Sequence, residues 1–330
     1  MIELIAEIGS VHDGSFGNAG KLIEVAAQCG ATAVKFQTHI AEAETLPNAP
    51  MPAYFKGEPR MEYFRRTAFT EAQYVQLIEK AAQSGVKFLS SPFSLEAVDL
   101  LERVGMPIYK IPSGEVSNVP LLERIAETKK PVLLSSGMSD WSELDRAVQV
   151  LRGGGPLTLL QCSSLYPCPP EQVGLNVMLE MRSRYDLPVG LSDHTLGPAA
   201  AIAAVTLGAT VIEKHLTYSR LMYGSDARHS MEPDEFRAMA TWISEVEAML
   251  STDVDKTDAG AYREMKVIFE KSVVLARDLP AGVILRREDL VFKKPGDGIP
   301  AAEYPRVVGR TLTNPQAANH KLAWSDLQSS

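Results

Sequence analysis

The sequence predicts a (β/α)8 barrel over residues 1–250, a polar linker over 251–267 and a small, mostly β domain over 268–330. Three observations carry this. Eight short apolar runs alternate with eight amphipathic stretches up to residue 250. The runs are apolar on both faces, as strands are when helices cover a parallel sheet. Composition then turns polar at 251–262 (S-T-D-V-D-K-T-D-A-G-A-Y), and short alternating segments such as 272–276 follow, separated by Gly/Pro turns at 279–282 and 294–298. An open doubly wound sheet is the alternative; it would carry G-x-G-x-x-G after the first strand, where this chain has E-I-G-S.

Taken in order, the strands are expected at 4–8, 33–37, 87–91, 108–111, 132–135, 157–162, 189–192 and 210–215. The helices are expected at 17–28, 71–84, 95–104, 121–127, 142–151, 177–185, 198–207 and 233–249, each with apolar residues recurring at helical spacing, such as Leu22, Ile23, Val25 and Ala26 in the first. Asp140 and Pro233 read as helix starts. Residues 40–66 form a long insert rich in Ala, Pro and Glu, and a loop of that length inside a barrel is more often functional than idle. The tail of about 60 residues is near the lower size at which a core alone suffices, so it is expected to lean on the barrel or on a second subunit.

Of the 330 residues, 45% are hydrophobic and 22% charged, ordinary for a soluble domain. A net charge of −8 argues against general nucleic-acid binding. No apolar run approaches the roughly 18 residues that span a membrane, and the start M-I-E-L-I lacks the basic region and cleavage site of a secretory signal. Cys29, Cys162 and Cys168 make no paired framework, and reduced thiols in a cytoplasmic protein are expected.

Barrel strands present their C-terminal ends to the catalytic mouth, and here those ends are polar. They offer Glu7, Lys35 and Gln37, Ser91, Lys110 with Ser113 and Glu115, Ser135, Ser164 with Tyr166, Ser192 with His194, and Glu213 with His215. Lys35 and Lys110 would meet over a small anion, with the serines as hydroxyl donors; the K-I-P-S-G turn from Lys110 adds backbone N–H groups suited to phosphate. His194 and His215 lie 21 residues apart, the length of one helix and two turns, so neighbouring parallel strands would bring both imidazoles to one rim. Imidazole pairs hold divalent metals and leave positions for water and substrate. Two hydrogen-bonded histidines without metal are the alternative. His39 lies just past Gln37, where it would line the mouth.

These residues sit in A-E-I-G (6–9), V-K-F-Q-T-H-I (34–40), F-L-S-S-P-F-S (88–94), Y-K-I-P-S-G-E (109–115), L-S-S-G-M (134–138), G-L-S-D-H-T-L-G (190–197), I-E-K-H (212–215) and S-M-E-P-D-E-F (230–236). Together they resemble the sialic acid synthase family, which includes legionaminate, pseudaminate and spore-coat sugar synthases, and the tail is similar to its antifreeze-like (SAF) domain. The resemblance implies condensation of phosphoenolpyruvate with an open-chain sugar aldehyde, N-acetylmannosamine or a relative, with loss of phosphate. It implies that Lys35, Ser91, Lys110, Ser113, Ser135 and Ser192 bind phosphoenolpyruvate. His194 and His215 would hold a divalent metal, Mn2+ in preference to Mg2+ or Co2+. Glu7 would act near metal and substrate, with Glu213 on the same rim, and Gln37, Glu115, Tyr166 and Asp226 would face the sugar. A domain-swapped homodimer is implied too. At two positions the chain departs from the family: Ser164 stands where Asn is usual, and Lys294 where an R-P-G loop presents Arg to the sugar. Lysine lacks arginine's bidentate fork, so an acetamido sugar bound that way is placed in question. A Schiff-base aldolase with Lys110 as nucleophile and a non-catalytic sugar- or anion-binding protein are the competing readings.

Overall fold

The computed structural model describes residues 2–50 and 57–328. They fall into two compact units, Met1–Thr252 and Asp253–Ser330.

In the first unit, strands β1 (Glu3–Gly9), β2 (Ala33–Thr38), β3 (Lys87–Pro92), β4 (Tyr109–Ile111), β5 (Val132–Ser135), β6 (Leu157–Cys162), β7 (Val189–Asp193) and β8 (Val211–His215) form a closed parallel barrel in chain order. β8 pairs back onto β1, with Glu7 opposite His215. The connecting helices are α1 (Phe16–Gln28), α2 (Ala41–Glu44), α3 (Arg60–Thr67), α4 (Glu71–Gln83), α5 (Leu95–Arg103), α6 (Val119–Glu127), α7 (Trp141–Leu151), α8 (Leu175–Tyr185), α9 (Ala199–Thr206) and α10 (Pro233–Leu250). Local chemistry sets their starts. The Asp140 carboxylate accepts from the Glu143 N–H while Glu143 reaches back to Asp140, closing a capping box at α7. Pro233 opens α10 at a position that needs no N–H donor. The insert expected as a loop contains α2 and α3, and its residues 51–56 lie outside the described residues.

Strand alternation places the site. Residues Leu4, Ala6, Ile8, Val34, Phe36, Tyr109, Ile111, Leu134, Leu159, Leu191 and Ile212 face outward into one core beneath the helices. Ile5, Ala33, Leu89, Leu133, Leu160 and Val211 face inward and plug the barrel. Two residues further along these strands the inward positions are Glu7, Lys35, Ser91, Ser135, Cys162 and Glu213. An apolar floor therefore lies directly under a layer of charged and polar side chains.

The second unit contains α11 (Arg263–Phe269), an antiparallel pair of β9 (Ser272–Leu275) and β10 (Leu290–Lys293), and α12 (Tyr304–Val307). Isolated bridges, including Val274 to Lys321 and Leu279 to Gln316, tie the remainder together. Val273, Leu275, Leu279, Leu285, Leu290, Ile299, Val307, Leu312, Leu322 and Leu327 form its own core. Part of the stretch expected as linker is thus helical. Among the described residues no helix is long and apolar enough to cross a membrane.

Candidate active site

A cavity of about 440 Å3 opens at the C-terminal ends of the barrel strands. Its base is an ionic layer. Glu213 Oε1 accepts from the Ser192 hydroxyl at 2.9 Å and lies 3.5 Å from both the Lys35 and Lys110 ammoniums. The Lys35 ammonium forms an ion pair with Glu7 Oε2 at 3.1 Å and donates to Ser91 Oγ at 3.4 Å. All four ionic side chains are at most 5% exposed.

Burial opposes every one of these charges, and the neighbours decide the outcome. Burial would raise Glu213, but the Lys110 and Lys35 ammoniums overcome it and hold the carboxyl at about 2. Burial raises Glu7, with Lys35 opposing. Lys35 is raised despite burial because Glu213 and Glu7 face it. Burial lowers Lys110, with Glu213 opposing.

Above this layer stand the two imidazoles, ring centroids 5.5 Å apart, with Tyr166 4.2 Å from His194 and 6.3 Å from His215. His194 Nδ1 lies 2.8 Å from the Ser163 carbonyl, which only accepts, so Nδ1 carries a proton and Nε2 is the nitrogen left to face a ligand. His215 is lowered to about 4, chiefly by burial, which keeps it neutral and able to ligate. No group of three or more His, Cys, Asp or Glu among the described residues is arranged around one metal position. Two imidazoles at one rim are neutral donors of the kind that could share a divalent cation, with its other positions left to water or substrate. Three buried atoms point the same way: among the described residues Glu213 Oε2, Ser135 Oγ and His215 Nδ1 have no hydrogen-bond partner, and such groups are costly unless a ligand completes them.

Most of the residues singled out in the sequence converge here. Glu7, Lys35, Gln37, Lys110, Ser113, Ser135, Ser164, Tyr166, Ser192, His194, Glu213, His215 and Asp226 all line the cavity. Ser113 and Ser164 crowd Gly137 so closely that a Cβ there would stand 1.8 and 2.6 Å from their hydroxyl oxygens. Ser91 is fully buried behind Lys35 and does not line the cavity. Glu115 sits in a 3-10 turn off the wall, where it accepts from Asn118 at 2.8 Å. Lys294 belongs to the second unit, its ammonium 4.9 Å from the Phe269 ring centre. Sequence reasoning passed over Arg60, Tyr63, Phe64, Phe93 and Cys162, which also line the cavity. Only Cys162 carried a signal, through its inward parity on β6.

The model of the NeuB family matches residues 22–255, and that of the SAF domain matches residues 270–328. The chain belongs to the NeuB family. It is 36% identical to the N,N'-diacetyllegionaminic acid synthase of Campylobacter jejuni, over 94% of this chain and 95% of that protein. It is 33% identical to the human N-acetylneuraminate-9-phosphate synthase, over 94% of this chain and 88% of that protein. Among solved structures, the N-acetylneuraminic acid synthetase of Leptospira borgpetersenii in complex with citrate superposes with a TM-score of 0.69 at 30% identity, covering 80% of this chain and 90% of that one. The barrel and its C-terminal SAF unit are thus NeuB-family architecture.

Proposed function

We propose that this NeuB-family chain is a synthase that condenses phosphoenolpyruvate with an open-chain aldose, forming a 2-keto-3-deoxy sugar acid and releasing phosphate. One observation carries the reading: two buried lysines and a set of hydroxyls lie beneath two imidazoles, in a cavity where Glu213 Oε2, Ser135 Oγ and His215 Nδ1 have no hydrogen-bond partner among the described residues. Relatives named as synthases of nonulosonic acids support the same chemistry.

Lys35 and Lys110 balance the phosphate and carboxylate of phosphoenolpyruvate, with Ser113, Ser135, Ser164 and Ser192 as hydroxyl donors. This grip aims C3 at the aldehyde carbon and converts a bimolecular encounter into a positioned one. His194 and His215 would hold a divalent cation, Mn2+ in preference to Mg2+ or Co2+, which when bound polarises the aldehyde oxygen. C3 bonds to the aldehyde carbon, water adds at C2, and the C2–O bond breaks so that the bridging oxygen leaves with phosphate. Glu7, raised by burial, is suited to hold and move the proton. Gln37, Tyr166 and Asp226 face the sugar, and Glu115 joins them from behind the wall. Lys294 would extend the sugar site from the SAF unit of a domain-swapped homodimer. Three buried, unpaired cysteines suit a reducing cytoplasm.

The experiment is phosphate release from phosphoenolpyruvate across acetamido and diacetamido aldoses, with and without a terminal phosphate. Bridge-18O phosphoenolpyruvate is expected to deliver its label to phosphate, and EDTA to abolish turnover while the fold survives. Label retained in the sugar acid, or full activity after metal removal, overturns the reading. A Schiff base at Lys110 has one observation in its favour, since burial lowers that amine. The ion pair with Glu213 opposes it, and borohydride with substrate is expected to leave Lys110 unmodified.

A further inference from the structure

Beside the ionic layer, a second buried group has no part in the chemistry above. His39 is 8% exposed and clamped face-on between two phenylalanines. Its ring centroid is 3.9 Å from Phe64 at 8° and 4.2 Å from Phe93 at 19°. Both of its nitrogens are engaged. Nδ1 lies 2.8 and 3.0 Å from the two oxygens of Glu44, a carboxylate whose side chain is 5% exposed. Nε2 lies 3.1 Å from Gln37 Oε1, and the other end of that amide donates its N–H to Glu7 Oε1 at 2.8 Å. Glu44, His39, Gln37 and Glu7 therefore form one continuous chain of hydrogen bonds into the cavity.

The polarity of the chain follows from its middle link. An amide has a donor end and an acceptor end. With the Gln37 N–H on Glu7, its oxygen faces His39, so Nε2 must donate. Nδ1 faces a carboxylate and must donate as well. In this orientation both ring nitrogens donate, and the ring lies against Glu44 and between two ring faces that favour a cation. Reversing the amide would need a donor on Glu7 and a lone pair on Nε2. That is the same pair of groups with one proton moved from His39 to Glu7, and nothing gained or lost.

We propose that the buried Glu44–His39 pair is a positioning device that locks the Gln37 amide with its N–H on Glu7, and thereby sets the hydrogen-bonding direction that Gln37 offers the acceptor sugar. The role in turnover rests on the synthase reading; the geometry does not. Burial favours the protonated form of Glu7, and the Gln37 N–H is, after Lys35, the contact that opposes it. Glu115 is the further carboxyl that feels both Glu44 and His39. Phe64 arrives on α3, from the insert after β2, so that insert completes the device.

The test is 15N NMR of the histidine rings in the full-length chain, with the His39 signals assigned by their loss in His39→Gln. In the wild type both His39 nitrogens are expected to resonate as protonated. In Glu44→Gln one is expected to move to the unprotonated position, and in Glu44→Asp the protonated pattern is expected to return at least in part. In steady state, with N-acetylmannosamine or the best acceptor found, Glu44→Gln is expected to raise the acceptor KM about tenfold, the worth of one well-placed hydrogen bond. The phosphoenolpyruvate KM is expected to stay within about twofold, well under that effect. A neutral His39 in the wild type overturns the proposal. So does Glu44→Gln leaving the His39 signals unchanged, or lowering thermal stability while both KM values hold. If no aldose supports phosphate release, the synthase reading fails while the NMR result still decides the polarity of the chain.

Discussion

His12 shows how one buried residue ties stability to pH. It is 2% exposed, its ring 4.5 Å from that of Phe69, and the Gly14 N–H donates to its Nδ1 at 3.1 Å. A nitrogen that accepts carries no proton, so the geometry makes His12 neutral. Burial lowers it from 6.5 to about 4, with Asp226 opposing and His39 and Arg66 adding to the shift. Because the folded value lies below the unfolded one, the unfolded chain takes up the proton first as the solution is acidified. The stabilising contribution is complete above pH 6.5 and is lost progressively down to about 4. Roughly 2 kcal/mol should disappear between about pH 7 and about pH 5. Urea unfolding of wild type and His12→Asn at those two pH values checks this. The variant should lose less stability by about that amount, and equal losses would show that His12 does not titrate as its hydrogen bond requires.

At the scale of elements, the β7–β8 ladder explains how two histidines meet. Ser192 pairs with Glu213 and Asp193 with Lys214, so the residues before each histidine are partners across the strands. Alternation turns Ser192 and Glu213 into the barrel and Asp193 and Lys214 outward. There the Lys214 ammonium donates to Asp193 at 2.7 Å, to the Thr195 and Gly197 carbonyls and to the Thr195 hydroxyl, while Asp193 accepts the Thr195 N–H at 2.8 Å. Both side chains are 1% exposed. The pair thus pins the turn that carries His194 to the strand that carries His215. Lys214→Met leaves a buried carboxylate without its counter-charge and should cost about 3–5 kcal/mol. Adding Asp193→Leu removes that stranded charge and should restore part of the loss in urea unfolding. A double variant as unstable as the sum of the two single ones would mean that the residues do not act as a unit.

Across the whole molecule, the barrel and most of its mouth were legible because one pattern governs both. An inward apolar residue followed two places later by a charge, as in Ile5 and Glu7 or Val211 and Glu213, fixes strand, face and site together. Parity alone could not show that Lys35 would lie over Ser91, nor that Glu115 would fall on a 3-10 turn. The clamp on His39 was illegible because Phe64 and Phe93 reach it from different elements, one of them inside an insert with no periodic pattern. The same ladder makes a prediction about autonomy. All eight barrel strands, the ionic layer and both imidazoles belong to residues 1–252, and the second unit keeps a separate core. Residues 1–252 expressed alone should therefore unfold in one cooperative transition and bind Mn2+, read from loss of the free-ion electron paramagnetic resonance signal. His215→Ala in that fragment should leave the signal at its free-ion strength. A fragment that melts without a transition would mean that the barrel depends on residues 253–330 for its fold, and a folded fragment that leaves Mn2+ free would mean that the pair at 194 and 215 does not hold Mn2+ in the isolated barrel.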